Sequence, residues 1–294
     1  MALRRFIHII FNPVAGRRKR HLLDDVVGRL RAAGADVTIE LTEGPAHATA
    51  LAREVTRRRQ ADVIVAAGGD GTINEVACGL LGQGIPLGIV PLGTANVLAI
   101  EIGLRPRAEE IAAMLLEGPA EIIGTGLVQG DLFLLMVGIG FDGEVVHRIN
   151  PRMKKLWGKG AFILSGLKVW LRGPAHDIRL SVDGQEKRAA WAVVTNARHY
   201  AGPFVLAPEA AITQPGLTLF LFQKKSRLAF AIYLAALGLG LVSRLSSVEV
   251  LSARVIDVQG PEGLAVEVDG DGRGYLPQKI EQGTRFLRMV MPKS

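Results

Sequence analysis

Val63-Ile64-Val65-Ala66-Ala67-Gly68-Gly69-Asp70-Gly71-Thr72-Ile73-Asn74-Glu75-Val76 passes from an apolar strand through a glycine turn holding one carboxylate and straight into a helix. Ile73, Val76, Ala77, Leu80 and Leu81 fall on one face of that helix. The arrangement outlines a phosphate site. Glycines let backbone N–H groups approach an anion, and the orphan N–H groups at a helix start favour its charge. Gly68, Gly69, Gly71, Thr72 and Asn74 are the candidate phosphate contacts. Asp70 would repel a phosphate by itself, so its presence points to Mg²⁺ carried with a nucleoside triphosphate and oriented by this carboxylate.

A second unit of the same kind follows. Ile85-Pro86-Leu87-Gly88-Ile89-Val90 reads as a buried strand, then Pro91-Leu92-Gly93-Thr94-Ala95-Asn96 as a turn, then a short helix through Ile100. In a parallel sheet the two turns lie side by side at the strand C-terminal ends, where open α/β sheets bind ligands. Gly93, Thr94 and Asn96 therefore join the candidate phosphate contacts; the competing reading of Thr94 is a plain helix N-cap.

Outward from these turns, residues 1–122 alternate strand and helix signals: a first strand through Phe11, a helix with Leu22, Leu23, Val26, Val27 and Leu30 on one face, a strand at Asp36–Leu41, and helices over Pro45–Arg59 and Arg107–Leu116. That order predicts a doubly wound parallel sheet covered by helices. From Ile122 the texture changes to short apolar runs separated by glycine, proline and Asp-Gly turns: Leu132–Val137, Ile178–Val182, Trp191–Thr195, Leu217–Phe222, Val248–Val250, Val255–Val258 and Leu264–Val268. Such spacing predicts an antiparallel β-sandwich over 123–276, with 277–294 returning to the first domain.

The 294 residues suffice for two domains, and the single cysteine, Cys78, makes no intrachain disulfide and reads as packing. The histidines lack metal-ligand spacing, which argues against zinc. The basic then apolar N-terminus is read as a strand rather than a leader, and a cytoplasmic protein is expected. A net charge of +7 implies an anionic partner. Basic clusters lie at Arg17-Arg18-Lys19-Arg20, Arg57-Arg58-Arg59 and Lys154-Lys155. They lack interleaved aromatics, so nucleic acid is not the expected partner. Leu228–Val242 is apolar between Lys224, Lys225, Arg227 and Arg244. It is too short to span a bilayer and is either a buried helix or one lying on an anionic membrane. The stretch containing Trp157, Phe162, Leu164, Leu167, Val169 and Trp170 with interspersed lysines leaves the same pair of readings. Oligomeric state is not legible, and a homodimer stays open.

Gly68-Gly69-Asp70-Gly71-Thr72, followed by Pro91-Leu92-Gly93-Thr94-Ala95-Asn96 and preceded by Phe11-Asn12-Pro13-Val14-Ala15-Gly16, resembles the diacylglycerol kinase catalytic-domain family, which includes bacterial lipid kinases and sphingosine kinases. Gly138-Ile139-Gly140-Phe141-Asp142, Ala207-Pro208-Glu209-Ala210 and Val268-Asp269-Gly270-Asp271 extend the likeness along the chain. The resemblance implies a nucleotide-binding α/β domain like that of NAD kinases and phosphofructokinases, a β-sandwich domain after it, and an active site in the cleft between. It implies ATP and Mg²⁺ as cofactors and a lipid hydroxyl as acceptor; the basic charge and the apolar, cation-flanked segments add an expected peripheral contact with an anionic membrane. Asn12 and Thr42 would frame the nucleotide, although Thr42 also reads as an N-cap.

Transfer to a hydroxyl needs a base near the acceptor. By the match to an Asp-Gly-Glu pattern, Asp271 takes that role, one methylene shorter than the family's usual Glu; an ordinary Asp-Gly strand turn is the competing reading. The family also tends to carry an Asp-Gly-Leu-Leu-Asp-like segment that holds a structural Mg²⁺. Here Ile212-Thr213-Gln214-Pro215-Gly216-Leu217-Thr218 puts Gln214 and Thr218 at the acidic positions, so that site is expected to be absent or altered. A soluble-substrate kinase of the NAD kinase type, or a silent nucleotide or lipid sensor, are the alternatives.

Overall fold

β1 (Phe6–Phe11), β3 (Val63–Gly68) and β4 (Leu87–Pro91) are apolar along nearly their whole length and are buried on both faces, as a parallel sheet between helix layers requires. With β2 (Asp36–Leu41), β5 (Ala120–Ile123) and the last strand, β20 (Leu287–Val290), they form a six-stranded sheet of order β2-β1-β3-β4-β20-β5. All neighbours in it are parallel except β20 with β5. The covering helices are α1 (Arg20–Ala32), α2 (His47–Arg58), α3 (Asp70–Leu80), α4 (Val97–Glu101) and α5 (Ala108–Glu117). Their buried positions keep the helical period: Leu22, Leu23, Val26, Val27 and Leu30 on α1, and Ile73, Val76, Ala77 and Leu80 on α3. α1 packs on α5, and α2 on α3.

The computed structural model describes residues 3–15, 19–148, 165–166, 169–170 and 176–293. It divides into one unit of Met1–Gly124 with Thr284–Ser294 and another of Thr125–Gly283. The boundaries read from sequence at 122 and 277 move to 124 and 284, because the penultimate strand, β19 (Gln278–Gln282), pairs with strands of the second unit. Gly16, Arg17, Arg18 and the run from Lys154 to Lys168, apart from residues 165–166, lie outside the described residues.

In the second unit, β6 (Gly126–Val128), β7 (Asp131–Phe133), β9 (Ile178–Val182), β10 (Gln185–Ala189), β16 (Val255–Gln259) and β19 form a sheet of order β10-β9-β16-β19-β6-β7. β8 (Met136–Ile139), β11 (Trp191–Thr195), β14 (Leu217–Phe222), β15 (Val248–Ala253), β17 (Ala265–Val268) and β18 (Asp271–Tyr275) form another of order β15-β14-β11-β8-β17-β18. Neighbouring strands in both run antiparallel. Phe133, Leu180, Ile256 and Ile280 of the first sheet meet Val137, Val194, Leu219 and Val266 of the second in one apolar core, making a β-sandwich. β12 (His199–Tyr200) and β13 (Phe204–Val205) form a short separate hairpin.

Leu132–Val137, expected as one strand, breaks at Leu134-Leu135. There the backbone N–H groups of Leu134, Leu135 and Met136 turn to the Asp269 carboxylate at 2.9, 2.9 and 3.0 Å. The outer face of the β11-β14 sheet is covered by aromatic rings from α6 (Phe141–His147) and α7 (Arg227–Gly238). Trp191 stacks on Phe222 at 3.9 Å, with Phe141, Phe230 and Tyr233 around them. The Leu228–Val242 segment thus holds a helix that ends at Gly238, and only one of its faces is buried.

Candidate active site

β1 and β3 are adjacent in the sheet, yet the chain leaves β1 toward β2 on one side and β3 toward β4 on the other. Their C-terminal ends therefore open a crevice at a topological switch point, the usual ligand position in such sheets. Asn12 stands at one lip. Its backbone N–H donates to Ala67 O at 3.0 Å, its Nδ2 donates to Thr72 Oγ1 at 3.0 Å, and its Oδ1 accepts from Val14 and Ala15 N–H at 3.0 and 3.2 Å. Asn12 thereby ties the loop after β1 to the first turn of α3.

The two glycine turns touch through backbone. A Cβ on Gly93 would lie 2.6 Å from Gly69 Cα and 2.8 Å from Asn96 Oδ1, and one on Gly68 would lie 2.6 Å from the Thr72 side chain. Leu92 and Gly93 N–H both donate to Gly68 O, at 2.8 and 3.2 Å. These glycines are needed for turn-to-turn packing as well as for any approach to an anion. Asn96, in the left-handed region at φ 49°, sends Nδ2 to Pro91 O and Gly93 O at 3.3 and 3.0 Å. Its buried Oδ1 has no hydrogen-bond partner among the described residues.

α3 supplies caps to both neighbouring helices. Asp70 Oδ2 accepts from Val97 N–H at 3.1 Å and its Oδ1 from Leu98 N–H at 3.2 Å, which satisfies the start of α4. Glu75 does the same for α2, accepting from Ala46 and Ala48 N–H at 3.0 and 3.2 Å. The N-cap readings of Thr94 and Thr42 are thereby displaced: Thr94 is exposed beside the capped end, and neither residue caps a helix. Thr42 instead donates its backbone N–H to Phe11 O at 2.9 Å, at the same strand ends as Asn12. Gly71 is exposed in the first turn of α3, whereas Asn74 is buried and accepts from the Cys78 thiol at 3.6 Å. Burial pushes the Asp70 carboxyl above its ordinary value, against the pull of the Leu98, Val97 and Asn96 N–H groups.

One cation that the sequence presented only as part of a basic run reaches this place. Lys19 Nζ donates to Gly93 O at 2.7 Å. Its sole sequence signal was membership of the Arg17–Arg20 cluster, and its 74-residue separation from Gly93 hid the rest.

Asp271, in the second unit, opens β18 after a two-residue turn, Asp269-Gly270, whose positive φ values of 50° and 86° match a hairpin turn. The competing reading as a strand turn therefore describes the backbone, with the exposed Asp271 directly after it. Gly270 N–H donates to Glu267 Oε2 at 2.8 Å, and Glu267 is buried beside Asp142. Asp142 accepts from Trp191 Nε1 at 2.8 Å and from the Tyr200 hydroxyl. Burial pushes Asp142 up to about 6, and burial together with Asp142 pushes Glu267 well above its ordinary range. Gln214 is exposed, and Thr218 is a ladder residue of β14, paired with Thr195 and Ser252.

The diacylglycerol kinase catalytic-domain model matches residues 7–128, and a model of the YegS C-terminal NAD kinase beta sandwich-like domain matches 135–291. The chain is 31% identical to a diacylglycerol kinase of Bacillus subtilis (strain 168), over 97% of this chain and 96% of that one. It is 29% identical to a diacylglycerol kinase of Mycobacterium tuberculosis (strain ATCC 25618 / H37Rv), over 96% of this chain and 94% of that one. A crystal structure of a diacylglycerol kinase from Bacillus anthracis str. Sterne superposes with a TM-score of 0.79 at 25% identity, covering 99% of this chain and 98% of that one. With likeness running along nearly its whole length and through both units, this chain belongs to the diacylglycerol kinase family.

Proposed function

We propose that this lipid kinase moves the γ-phosphoryl group of Mg–ATP to a hydroxyl of diacylglycerol or a closely related lipid, working at the cytoplasmic face of an anionic membrane. The observation that carries the nucleotide half is the pair of glycine turns in contact at the β1/β3 switch point, with Lys19 on one and a helix start on the other. Backbone N–H groups of Gly69 to Thr72 face the phosphates, Gly93, Thr94 and Asn96 close the second side, and Asn12 and Thr42 border the nucleotide. Lys19 adds positive charge where the transferred group is most negative.

Mg²⁺ fits this donor set. Asp70 is the one carboxylate beside the two glycine turns, held in place by the Val97 and Leu98 N–H groups at 3.1 and 3.2 Å, and carboxylate oxygen is the donor that Mg²⁺ favours. The burial that raises its pKa is a cost that a nearby cation would offset. When bound, the ion would neutralise charge on the phosphate oxygens. Asp271 accepts the acceptor's hydroxyl proton as the new O–Pγ bond forms and the bond from Pγ to the β-phosphate oxygen breaks, leaving ADP. Among the described residues no helix is long and apolar enough to cross a membrane.

The test is transfer of γ-labelled phosphate from Mg–ATP into organic-extractable product, with diacylglycerol, sphingoid bases and total bacterial lipids in mixed micelles. Label in a lipid identifies the acceptor by mobility. Label appearing only in water-soluble product would overturn the lipid assignment.

A further inference from the structure

α7 carries two apolar faces. Phe230, Tyr233 and Leu237 are buried, and the Phe230 and Tyr233 rings join the aromatic cluster around Trp191 and Phe222. On the opposite side, Leu228, Ile232, Ala235 and Leu239 recur at helical spacing, and Leu228 and Leu239 are each 72% exposed and Ile232 47%. Burial of the first face explains why the segment is a helix, but it does not explain the second. A soluble surface would replace those residues with polar ones.

The ends of the stripe are cationic. Lys224, Lys225 and Arg227 precede it and Arg244 follows, all exposed, with no acidic residue between Gln223 and Val248. Lys225 is engaged by Asp177 at 2.9 Å. Trp170 donates its indole N–H to Arg227 O at 3.0 Å, which fixes an aromatic ring beside the first turn. An apolar stripe, flanking cations and a tryptophan together form the pattern of an interfacial helix. With 12 residues, α7 is about 18 Å long, well short of a hydrocarbon core, so it lies in the plane of the interface.

We propose that the Leu228–Leu239 stripe of α7, with Lys224, Arg227 and Arg244, docks onto an anionic lipid bilayer. The inference rests on the lipid-acceptor reading and deepens it by naming the surface through which the enzyme meets that lipid. A second copy of this chain fits the stripe less well, because two such helices would bring cationic ends together.

The experiment is co-sedimentation of the full chain with sucrose-loaded vesicles, either phosphatidylglycerol–phosphatidylcholine or phosphatidylcholine alone, without nucleotide. Binding to the anionic vesicles is expected to fall at least tenfold in Leu228→Ser/Leu239→Ser. It should fall about fivefold for each cation removed in Lys224→Gln/Arg244→Gln. Phosphate transfer to a short-chain diacylglycerol below its micellar concentration should stay unchanged in both variants. Wild-type protein that ignores anionic vesicles, or variants that bind as well as wild type, would overturn the proposal. So would a wild-type dimer that Leu228→Ser/Leu239→Ser dissociates while vesicle binding persists. Because sedimentation needs no catalysis, absence of transfer to any lipid would sink the acceptor reading while the vesicle result still decides the surface.

Discussion

Asp70 Oδ1 accepts the backbone N–H of Leu98 at 3.2 Å, across 28 residues of chain. With the bond from Val97, this makes the residue proposed to orient Mg²⁺ also the cap of the neighbouring helix. Asp70→Ala should therefore lower stability by about 1–2 kcal/mol even without nucleotide. Urea denaturation of the nucleotide-free protein checks this. Transfer activity should fall at least tenfold as well, and a variant losing activity at unchanged stability would separate the two roles.

Gly93→Ala should cost about 1–3 kcal/mol and abolish ATP binding, since its Cβ would press into Gly69 backbone rather than a yielding side chain. Gly28→Ala is the control. A Cβ there meets nothing within 4 Å, and the position is inside α1, so a gain of about 0.5–1 kcal/mol is expected. Thermal melts with and without ATP read both effects.

Lys19→Met should raise the KM for ATP about tenfold through loss of one cation at the Gly93 turn. Stability should change by less than about 0.5 kcal/mol because the residue lies outside the apolar core. Steady-state kinetics at varied ATP would show this as a change confined to the nucleotide.

Asp271→Asn should reduce transfer by roughly 10²–10⁴-fold while ATP affinity and melting temperature hold, as suits an exposed base. Asp269→Ala should behave oppositely, destabilising the second unit because three backbone N–H groups lose their acceptor. Full activity in Asp271→Asn would remove it from the reaction.

Glu267→Gln should stabilise the protein progressively as pH rises from about 5 to 8. In the wild type the folded pKa lies well above the ordinary 4.5. Above that ordinary value the unfolded chain releases a proton that the folded chain keeps, so wild-type stability declines with rising pH. Glutamine retains an acceptor for Gly270 N–H and carries no such penalty. Asp142, Tyr200, Asp269 and Asp271 also act on Glu267 or its partner, so the comparison is of melting temperature differences between variant and wild type across pH. A difference constant with pH would refute it.

The βα alternation of the first unit and the run of short strands in the second were legible because burial imposes a local period on each element. Ile73, Val76, Ala77 and Leu80 mark one helix face, and Trp191 to Thr195 mark a strand buried on both sides. β10 and β18, in contrast, are polar or exposed and carry no such period. Leu132–Val137 misled for a different reason: its residues are uniformly apolar, and the break comes from the Asp269 carboxylate more than 130 residues away.

The candidate site divides in the same way. Two glycine turns after buried strands, one acid beside them and an Asp-Gly-Asp turn late in the chain are local patterns, because steric freedom, helix starts and tight turns depend on adjacent residues. Folding is what brings Gly69 against Gly93, lets Asp70 and Glu75 cap helices other than their own, carries Lys19 to Gly93 O and buries Glu267 beside Asp142. Those relationships join residues far apart in the chain. A local pattern records whether a side chain is apolar, whereas its partner and its desolvation are set by how the elements pack.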